Sequence, residues 1–234
     1  MSQTRQTQFG AEMTQLDAMI ARLGGAAEEQ LGLALDAMAN RDATLARQVI
    51  AADRDLDAME ADIDRHVADI FSRRQLMAAD LRVTLSSLKI ASALERVGDL
   101  AKNTSRRSLA LTAHEPLPVV PGIVRLGRET LELVSLALEG YSRRDAGMAH
   151  EAWLRDEALD HTYNGLMREI IGAMEDAGTR IALHAQCLFI AKNLERVGDH
   201  ATFVAETTHW IVTGEQLADL RPKGPPDGLL GAAE

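Results

Sequence analysis

A duplicated segment constrains the fold of this chain more than any other feature of its sequence. The pentapeptide ERVGD occurs at residues 95–99 and again at residues 195–199. The longer segments that contain it, LKIASALERVGDLA at 88–101 and LFIAKNLERVGDHA at 188–201, are identical at ten of fourteen positions. Such self-similarity is the signature of a repeated structural unit. The sequence therefore predicts two similar halves.

The similarity extends upstream, but with a different spacing between the two copies. The segment DRDLD at 53–57 aligns with DEALD at 156–160, which lies 103 residues later rather than 100. The change in spacing falls between the second and third predicted helices of each half. Loops tolerate such differences in length, so the change is compatible with one duplicated unit.

Composition and periodicity both predict helices. Aromatic residues, which favour strands, make up only 3% of the chain, and unbranched residues, which lose little rotamer freedom in a helix, are plentiful. Apolar residues recur every three or four positions over Leu16–Met38, which predicts the first helix. Asp42 and Asp145 are predicted N-caps of the second and fifth helices. The second helix should end near residue 72, and the third should cover about 79–111.

We therefore predict an all-α protein made of two tandem three-helix bundles that are related by internal duplication. The stretch HEPLPVVPG at 114–122 holds three of the six prolines. It is the predicted linker, because proline disrupts a helix interior. The predicted boundaries are 1–115 for the N-terminal bundle and 116–213 for the C-terminal bundle. Residues 214–234 are a predicted disordered tail, and residues 177–179 are the predicted turn between the last two helices.

Charge and residue types argue against several classes of function. The net charge of −10 would repel a polyanion, so we expect no nucleic-acid partner. The single cysteine, Cys187, cannot form an internal disulfide or a thiolate metal cage. Neither a membrane-spanning apolar run nor a signal-peptide core occurs, which predicts a cytoplasmic location. Since the sequence also lacks a phosphate-binding glycine loop, GxSxG and HExxH, we predict that the protein is not an enzyme.

Acidic residues spaced four apart recur at matching positions in both halves. The N-terminal carboxylate set is Asp53, Asp57, Glu95 and Asp99, and the C-terminal carboxylate set is Asp156, Asp160, Glu195 and Asp199. Like charges at this spacing cost a helix about 0.2–0.5 kcal/mol per pair. Adjacent antiparallel helices can bring the two pairs of each half together. Carboxylates without cysteine suit hard cations such as iron, manganese or magnesium, and suit zinc less well. The alternative interpretation is a pair of solvated acidic faces.

Two glycines inside helices predict close packing beside these acidic pairs. Gly98 and Gly198 each cost their helix about 0.5–1 kcal/mol relative to alanine, which close approach of a second helix would explain. The third and sixth helices are also apolar on two faces. We therefore predict that the halves pack about an approximate two-fold axis, with Val97, Val197 and the two glycines as contact surfaces. A second subunit is the alternative partner for these faces, and a homodimer is predicted.

The residues described above resemble the PhoU family of bacterial phosphate-signalling regulators. The resemblance rests on the repeated ERVGD, on DLR…LKIA at 80–91 and on ERVGDHATFVAE…VTGE, and it extends to about Glu215. It implies two similar three-helix bundles that bind metal through E(D)xxxD motifs, in some members as multinuclear iron clusters. It also implies that the two carboxylate sets defined above are the metal ligands. The chain departs from the family at Phe203, where asparagine is common.

The resemblance also implies a function. Members are negative regulators of the phosphate-starvation response that contribute to phosphate homeostasis. They link the ATPase of the high-affinity phosphate ABC transporter to the phosphate-sensing histidine kinase, and they reach the membrane only through these partners. The residues alone leave two alternatives open: a metal store or metal-dependent enzyme, and a helical scaffold with solvated acidic faces. Tightly bound metal would argue against the scaffold, and turnover of O₂ or a phosphoester would favour the enzyme.

Overall fold

The computed structural model describes residues 2–73, 75–175 and 178–217, and these residues form long helices and no strand. The helices are α1 (Ser2–Ala39), α2 (Ala43–Arg73), α3 (Ala78–Thr112), α4 (Val120–Arg143), α5 (Ala146–Glu175) and α6 (Ile181–Thr213). A short 3₁₀ turn, Gly178–Arg180, precedes α6. The all-α prediction is confirmed, and the predicted ends of the second and third helices lie within one residue of the observed ones.

The six helices form two three-helix bundles that share one apolar core. Helices α1, α2 and α3 pack on one another, and α4, α5 and α6 repeat the arrangement. Helix α3 also packs on α6, and α1 packs on α4. Buried apolar residues of all six helices belong to a single cluster. The duplicated architecture is confirmed, while the boundary between residues 115 and 116 stays a prediction.

The first helix of each half ends in the same way. Arg41 and Arg144 adopt left-handed backbone conformations, with φ of 57° and 52°. The next residue in each case, Asp42 or Asp145, donates its backbone N–H to a carbonyl five residues earlier, which closes the helix end. Asp42 Oδ1 then accepts hydrogen bonds from the N–H groups two and three residues later, at 2.8 and 3.0 Å. Asp145 makes the same bonds at 2.8 and 3.1 Å, so both predicted N-caps are confirmed.

The predicted linker is shorter than the sequence indicated. Helix α4 begins at Val120, so Pro121 and Gly122 lie in its first turn rather than in the linker. Proline is tolerated there because the first N–H groups of a helix have no intrahelical partner. The prediction that 114–122 connects the halves is therefore wrong for its last three residues. Of the predicted turn and tail, residue 177 and residues 218–234 lie outside the described residues.

The two halves meet through a contact that is made twice between α1 and α4. A Cβ atom on Gly24 would lie 2.5 Å from Leu138 Cδ2, and a Cβ atom on Gly127 would overlap the end of Leu35. Gly24 and Gly127 are 103 residues apart, as are Leu35 and Leu138. A contact in which equivalent residues exchange places is the mark of two-fold symmetry. The predicted approximate two-fold relation is thus confirmed.

The helix-interior glycines of the repeated pentapeptide lie within the bundles, not between the halves. The missing side chain of Gly98 faces Leu56 of α2, and that of Gly198 faces Leu159 of α5. The predicted close approach of a second helix is therefore confirmed. The prediction that these glycines contact the other half is wrong. Val97 does reach the other half, where it lines a small cavity together with residues such as Val134.

Candidate metal centre

Two members of the N-terminal carboxylate set contact the same lysine. Lys102 Nζ lies 2.5 Å from Asp53 Oδ2 on α2 and 2.5 Å from Asp99 Oδ1 on α3. Asp53 is only 7% exposed, and the lysine side chain is only 15% exposed. Packing of α2 on α3 beside Gly98 brings these groups together. The structure thus unites two predicted site residues, and it adds a cation that the spacing argument had not included.

The remaining members of this set meet around Glu95. Burial raises the pKa of Glu95 to about 7, and the negative charge of Asp99 adds to this effect. The charge of Arg96 opposes it, while Glu60 and Asp57 of α2 raise the pKa further. Acidic residues of α2 and α3 therefore lie close enough to repel one another, as predicted. Glu60, which follows Asp57 by three residues and so lies on the same face of α2, was not among the predicted ligands.

At Asp99, by contrast, neighbouring positive charges lower the pKa of the carboxyl group. Burial alone would raise the pKa of Asp99, but the hydrogen bond and charge of Lys102, together with Arg96, lower it overall. Burial likewise disfavours the Lys102 ammonium, yet its hydrogen bonds to Asp53 and Asp99 raise its pKa. The lysine is therefore a permanent cation at neutral pH. Lys102 thus forms ion pairs with both Asp53 and Asp99, and its single positive charge offsets part of their combined negative charge.

The C-terminal carboxylate set has a different arrangement. Asp156 is only 1% exposed, and its Oδ1 accepts a hydrogen bond of 3.0 Å from the Thr202 hydroxyl. Glu195 lies 2.8 Å from Lys192 Nζ. Burial raises the pKa of Glu195; the hydrogen bond from Lys192 opposes this rise, and the charges of Asp199 and Asp160 contribute to it. Residues of α5 and α6 thus come together here, as predicted.

The C-terminal half contains a further carboxylate that the site prediction omitted. Glu206 Oε1 accepts a hydrogen bond of 3.0 Å from the indole N–H of Trp153. Glu206 follows Asp199 by seven residues on α6, so it lies on the same face of the helix. The equivalent positions in the first half hold Arg106 and Ile50. The periodicity alone could have identified Glu206, but not its bond to the tryptophan on α5.

The donor chemistry of both sets suits a hard cation. Each set offers carboxylate oxygens from two helices. Burial is the main cause of the raised pKa values of Glu95 and Glu195, and a bound cation would relieve the carboxylate repulsion that adds to it. Among the described residues, however, no three Asp, Glu, His or Cys side chains surround a common point. Binding would have to draw the carboxylates inward. The assignment of the eight carboxylates as metal ligands therefore stays a prediction.

A cavity in another part of the molecule is lined mainly by apolar residues. It has a volume of about 400 Å³ and is lined by residues at the linker that include Met38, Leu111 and Pro118. None of the eight carboxylates contributes to its lining. The acidic sets thus lie outside this cavity.

The raised pKa of Glu95 predicts a pH dependence of folding. The folded-state pKa of about 7 lies above the ordinary glutamate value of 4.5, so between these pH values the folded protein binds more protons than the unfolded chain does. The stability present below pH 4.5 should be lost progressively as the pH rises through about 7. Denaturant titrations of metal-free protein should show this slope in the wild type and a shallower slope in Glu95→Gln. Parallel pH profiles for the two proteins would contradict it.

Fold and site together define a class: an internally duplicated six-helix protein with a carboxylate set on each half. The family model for the PhoU domain matches the chain twice, at residues 20–108 and 123–208. Those two segments cover most of both bundles. The chain belongs to the PhoU family.

Named relatives and solved structures agree with this assignment. The chain is 40% identical over 216 residues to the phosphate-specific transport system accessory protein PhoU homolog of Caulobacter vibrioides, covering 92% of this chain and 94% of the relative. It is 37% identical to the Rhizobium meliloti homolog, with 96% and 95% covered. The crystal structure of PhoU from Pseudomonas aeruginosa matches with a TM-score of 0.86 and 31% identity, over 88% of this chain and 100% of that one. None of the described helices is long and apolar enough to cross a membrane.

Proposed function

We propose that this protein is a negative regulator of the phosphate-starvation response that acts by binding and not by catalysis. The observation that carries the proposal is the PhoU-domain match in both halves. Relatives that match over most of the chain are named as accessory proteins of the phosphate-specific transport system. The proposed partners are the ATPase of the high-affinity phosphate ABC transporter and the sensor histidine kinase of the phosphate system. The protein would work in the cytoplasm and approach the membrane through these partners.

Regulation of this kind requires different affinities for different states of the partners. A binding protein shifts an equilibrium only by the difference between its affinities for the two states. We propose that the protein binds the phosphate-replete state of the transporter–kinase assembly more tightly than the starved state. Loss of the protein would then release the starvation response even when phosphate is abundant.

Metal binding is part of the proposal. The two carboxylate sets would hold iron, manganese, magnesium or zinc, and the metal would supply positive charge that offsets carboxylate repulsion. A ligand that binds only the folded state also stabilises that state by mass action. We further propose a homodimer, in which outer faces of the bundles pair. Elemental analysis and sedimentation of protein purified without a histidine tag would test these two points separately.

The carboxylates favour a second candidate function. Paired acidic residues on two helices, with the pKa of Glu95 raised to about 7 by burial and by neighbouring carboxylates, would also suit a metal store or a metal-dependent enzyme. A store would bind many more metal ions than the two sets can coordinate. An enzyme would turn over O₂ or a phosphoester. Neither property is needed for the regulator.

Direct binding measurements test the proposed partners. The net charge of −10 predicts docking on basic surfaces, so association should weaken as salt screens the charges. The screening length falls from about 10 Å at 0.1 M salt to about 3 Å at 1 M. We expect the purified protein to bind the transporter ATPase or the kinase, with a dissociation constant that rises about tenfold or more over this range. Absence of binding to both partners at low salt would contradict the proposal.

A further inference from the structure

The cavity beside the linker has an equivalent place in the other half of the molecule. Positions in α1 correspond to positions 103 residues later in α4, so Met38, which lines the cavity, corresponds to Tyr141. The two-fold relation also exchanges the two helices, so Val120, which lines the same cavity from α4, corresponds to Asp17 of α1. A methionine and a valine thus stand where the other half has a phenol ring and a carboxylate.

In the C-terminal half, the chain itself fills this place with an aromatic ring and an anion. Tyr141 is only 3% exposed, and its hydroxyl donates a hydrogen bond of 3.0 Å to Asp17 Oδ1. Arg144 donates to the same carboxylate oxygen at 2.5 Å, and its guanidinium lies 4.4 Å from the centre of the Tyr141 ring. The arginine that follows α4 is therefore bound by a ring and a carboxylate together.

The N-terminal half keeps the arginine but supplies neither of these partners. Arg41 shares the left-handed backbone conformation of Arg144 and lines the cavity. Its Nη2 donates to the backbone carbonyl of Thr112, at 2.9 Å, and to that of His114. Within the part of the chain that the structure describes, Arg41 makes no ion pair. A cavity thus lies beside this arginine where the other half has a tyrosine and an aspartate.

We propose that this cavity binds a small organic molecule that carries an aromatic ring and a carboxylate. The ring would lie among apolar side chains such as Leu111 and Leu183, in the space equivalent to that of Tyr141. The carboxylate would pair with Arg41, in the role that Asp17 has in the other half. A volume of about 400 Å³ falls within the range of about 300–1,000 Å³ that is usual for small-molecule sites. The proposal goes beyond the regulator role and requires no metal.

One charge beside the cavity opposes an anionic ligand. Glu115 lines the cavity together with Arg41, and both residues are exposed. Ion pairs between exposed groups are weak because solvent screens them. The aromatic ring therefore supplies most of the affinity, and the carboxylate adds a modest preference over a neutral ligand of the same shape.

Naphthylacetate is the probe for this site, and naphthylacetamide, which has the same shape without the charge, is the control ligand. For a ligand of this size we expect naphthylacetate to bind with a dissociation constant on the order of 1 mM or tighter. The amide should bind about threefold more weakly. In protein labelled at the methionine methyl groups, naphthylacetate should shift the resonance of Met38. The resonance of Met77, which is 76% exposed and does not line the cavity, should not move.

Filling the cavity should abolish this binding. Met38→Tyr installs the ring found at position 141, so the affinity for naphthylacetate, followed by its fluorescence, should fall about tenfold or more. Met77→Tyr makes the same exchange at an exposed position and should leave the affinity unchanged. Leu111→Phe fills the cavity from α3, and it serves if Met38→Tyr fails to fold as judged by circular dichroism.

Charge variants test the carboxylate contact separately from the ring. Arg41→Asn removes the guanidinium, and asparagine tolerates the left-handed conformation at this position. Naphthylacetate and its amide should then bind equally well. Glu115→Gln removes the opposing charge and should widen the preference for naphthylacetate over the amide.

Two sets of results would overturn the inference. A Met38 resonance that does not move at about 10 mM naphthylacetate, well above the expected dissociation constant, would show that the cavity does not take the ring. Unchanged affinity in the filled variants that fold would show the same. Equal affinities for the acid and the amide in the wild type, or a preference that survives Arg41→Asn, would reject the carboxylate contact. Binding to the transporter ATPase or the kinase tests the regulator proposal independently.

Discussion

Gly127→Val should destabilise the protein by about 1–3 kcal/mol, the usual cost of overpacking a core. A Cβ at this position would overlap Leu35 Cδ2 and would lie 3.0 Å from Cδ1 and 3.2 Å from Cγ of the same residue. Leu35 is only 3% exposed, so it has little room to withdraw. Because this contact joins α1 to α4, the substitution strains the packing of the two halves. Chemical denaturation with a folding control by circular dichroism would measure the loss.

Gly165→Val is the matched control for this experiment. Gly165 also lies inside a long helix, α5, but a Cβ there would meet no atom within 4 Å. Replacing a helical glycine where space is open removes backbone freedom from the unfolded chain and should be neutral or slightly stabilising. Equal denaturation midpoints for the two variants would contradict the packing described for the α1–α4 contact.

Lys102→Met should lower the free energy of unfolding of metal-free protein by about 1–3 kcal/mol. Removing one member of a buried ion pair leaves its partner's charge uncompensated, and this is costlier than losing an exposed pair. Here two carboxylates depend on the lysine: Asp53 is buried, and Asp99 is half-buried. The methionine keeps the length of the apolar stem, so the loss reports mainly on charge. Denaturant titration in the presence of a chelator would measure it.

Lys192→Met provides the comparison. Lys192 makes one contact of 2.8 Å with Glu195, and its side chain is half exposed. Pairs in which one member is exposed contribute about 0–1 kcal/mol. The double variant Lys102→Met with Asp53→Asn should recover part of the lost stability, since the uncompensated carboxylate is gone. A loss at Lys192 equal to that at Lys102 would show that the N-terminal charge group has no special role in folding.

The helices were largely predictable from the sequence because the patterns that indicate them depend on residues close together in the chain. Apolar residues at helical spacing, proline in the linker and an aspartate before the second helix of each half all report on neighbouring residues. The duplication then indicated that the second half repeats the first. The linker was predicted too long because proline breaks a helix interior but is accepted in the first turn, and the sequence alone could not distinguish these cases for Pro121.

Contacts between helices were harder to predict. The glycines of the repeated pentapeptide indicated a close neighbour, but nothing in their spacing showed whether that neighbour belonged to the same half. The structure places Leu56 beside Gly98, and the contact between the halves falls on Gly127 and Leu35 instead.

In the candidate site, too, the features within one helix were predictable, whereas the contacts between helices were not. Spacing of four residues placed each acidic pair on one helix face, and the pairs do come together. Lys102 was not identified, because it is three residues from Asp99 but reaches Asp53 only through the packing of α2 on α3. An alignment of the two halves would have shown lysine opposite threonine at this position. The meaning of that difference depends on the distance to Asp53, which only the structure provides.

Expression of phosphate-starvation genes in a deletion strain tests the central claim most directly. The gene for this protein would be deleted in the source cell, and a starvation-gene reporter would be followed in phosphate-rich medium. We expect the reporter to be switched on despite abundant phosphate, and to be repressed again when the intact chain is supplied. Normal repression in the deletion strain would contradict a role in negative regulation.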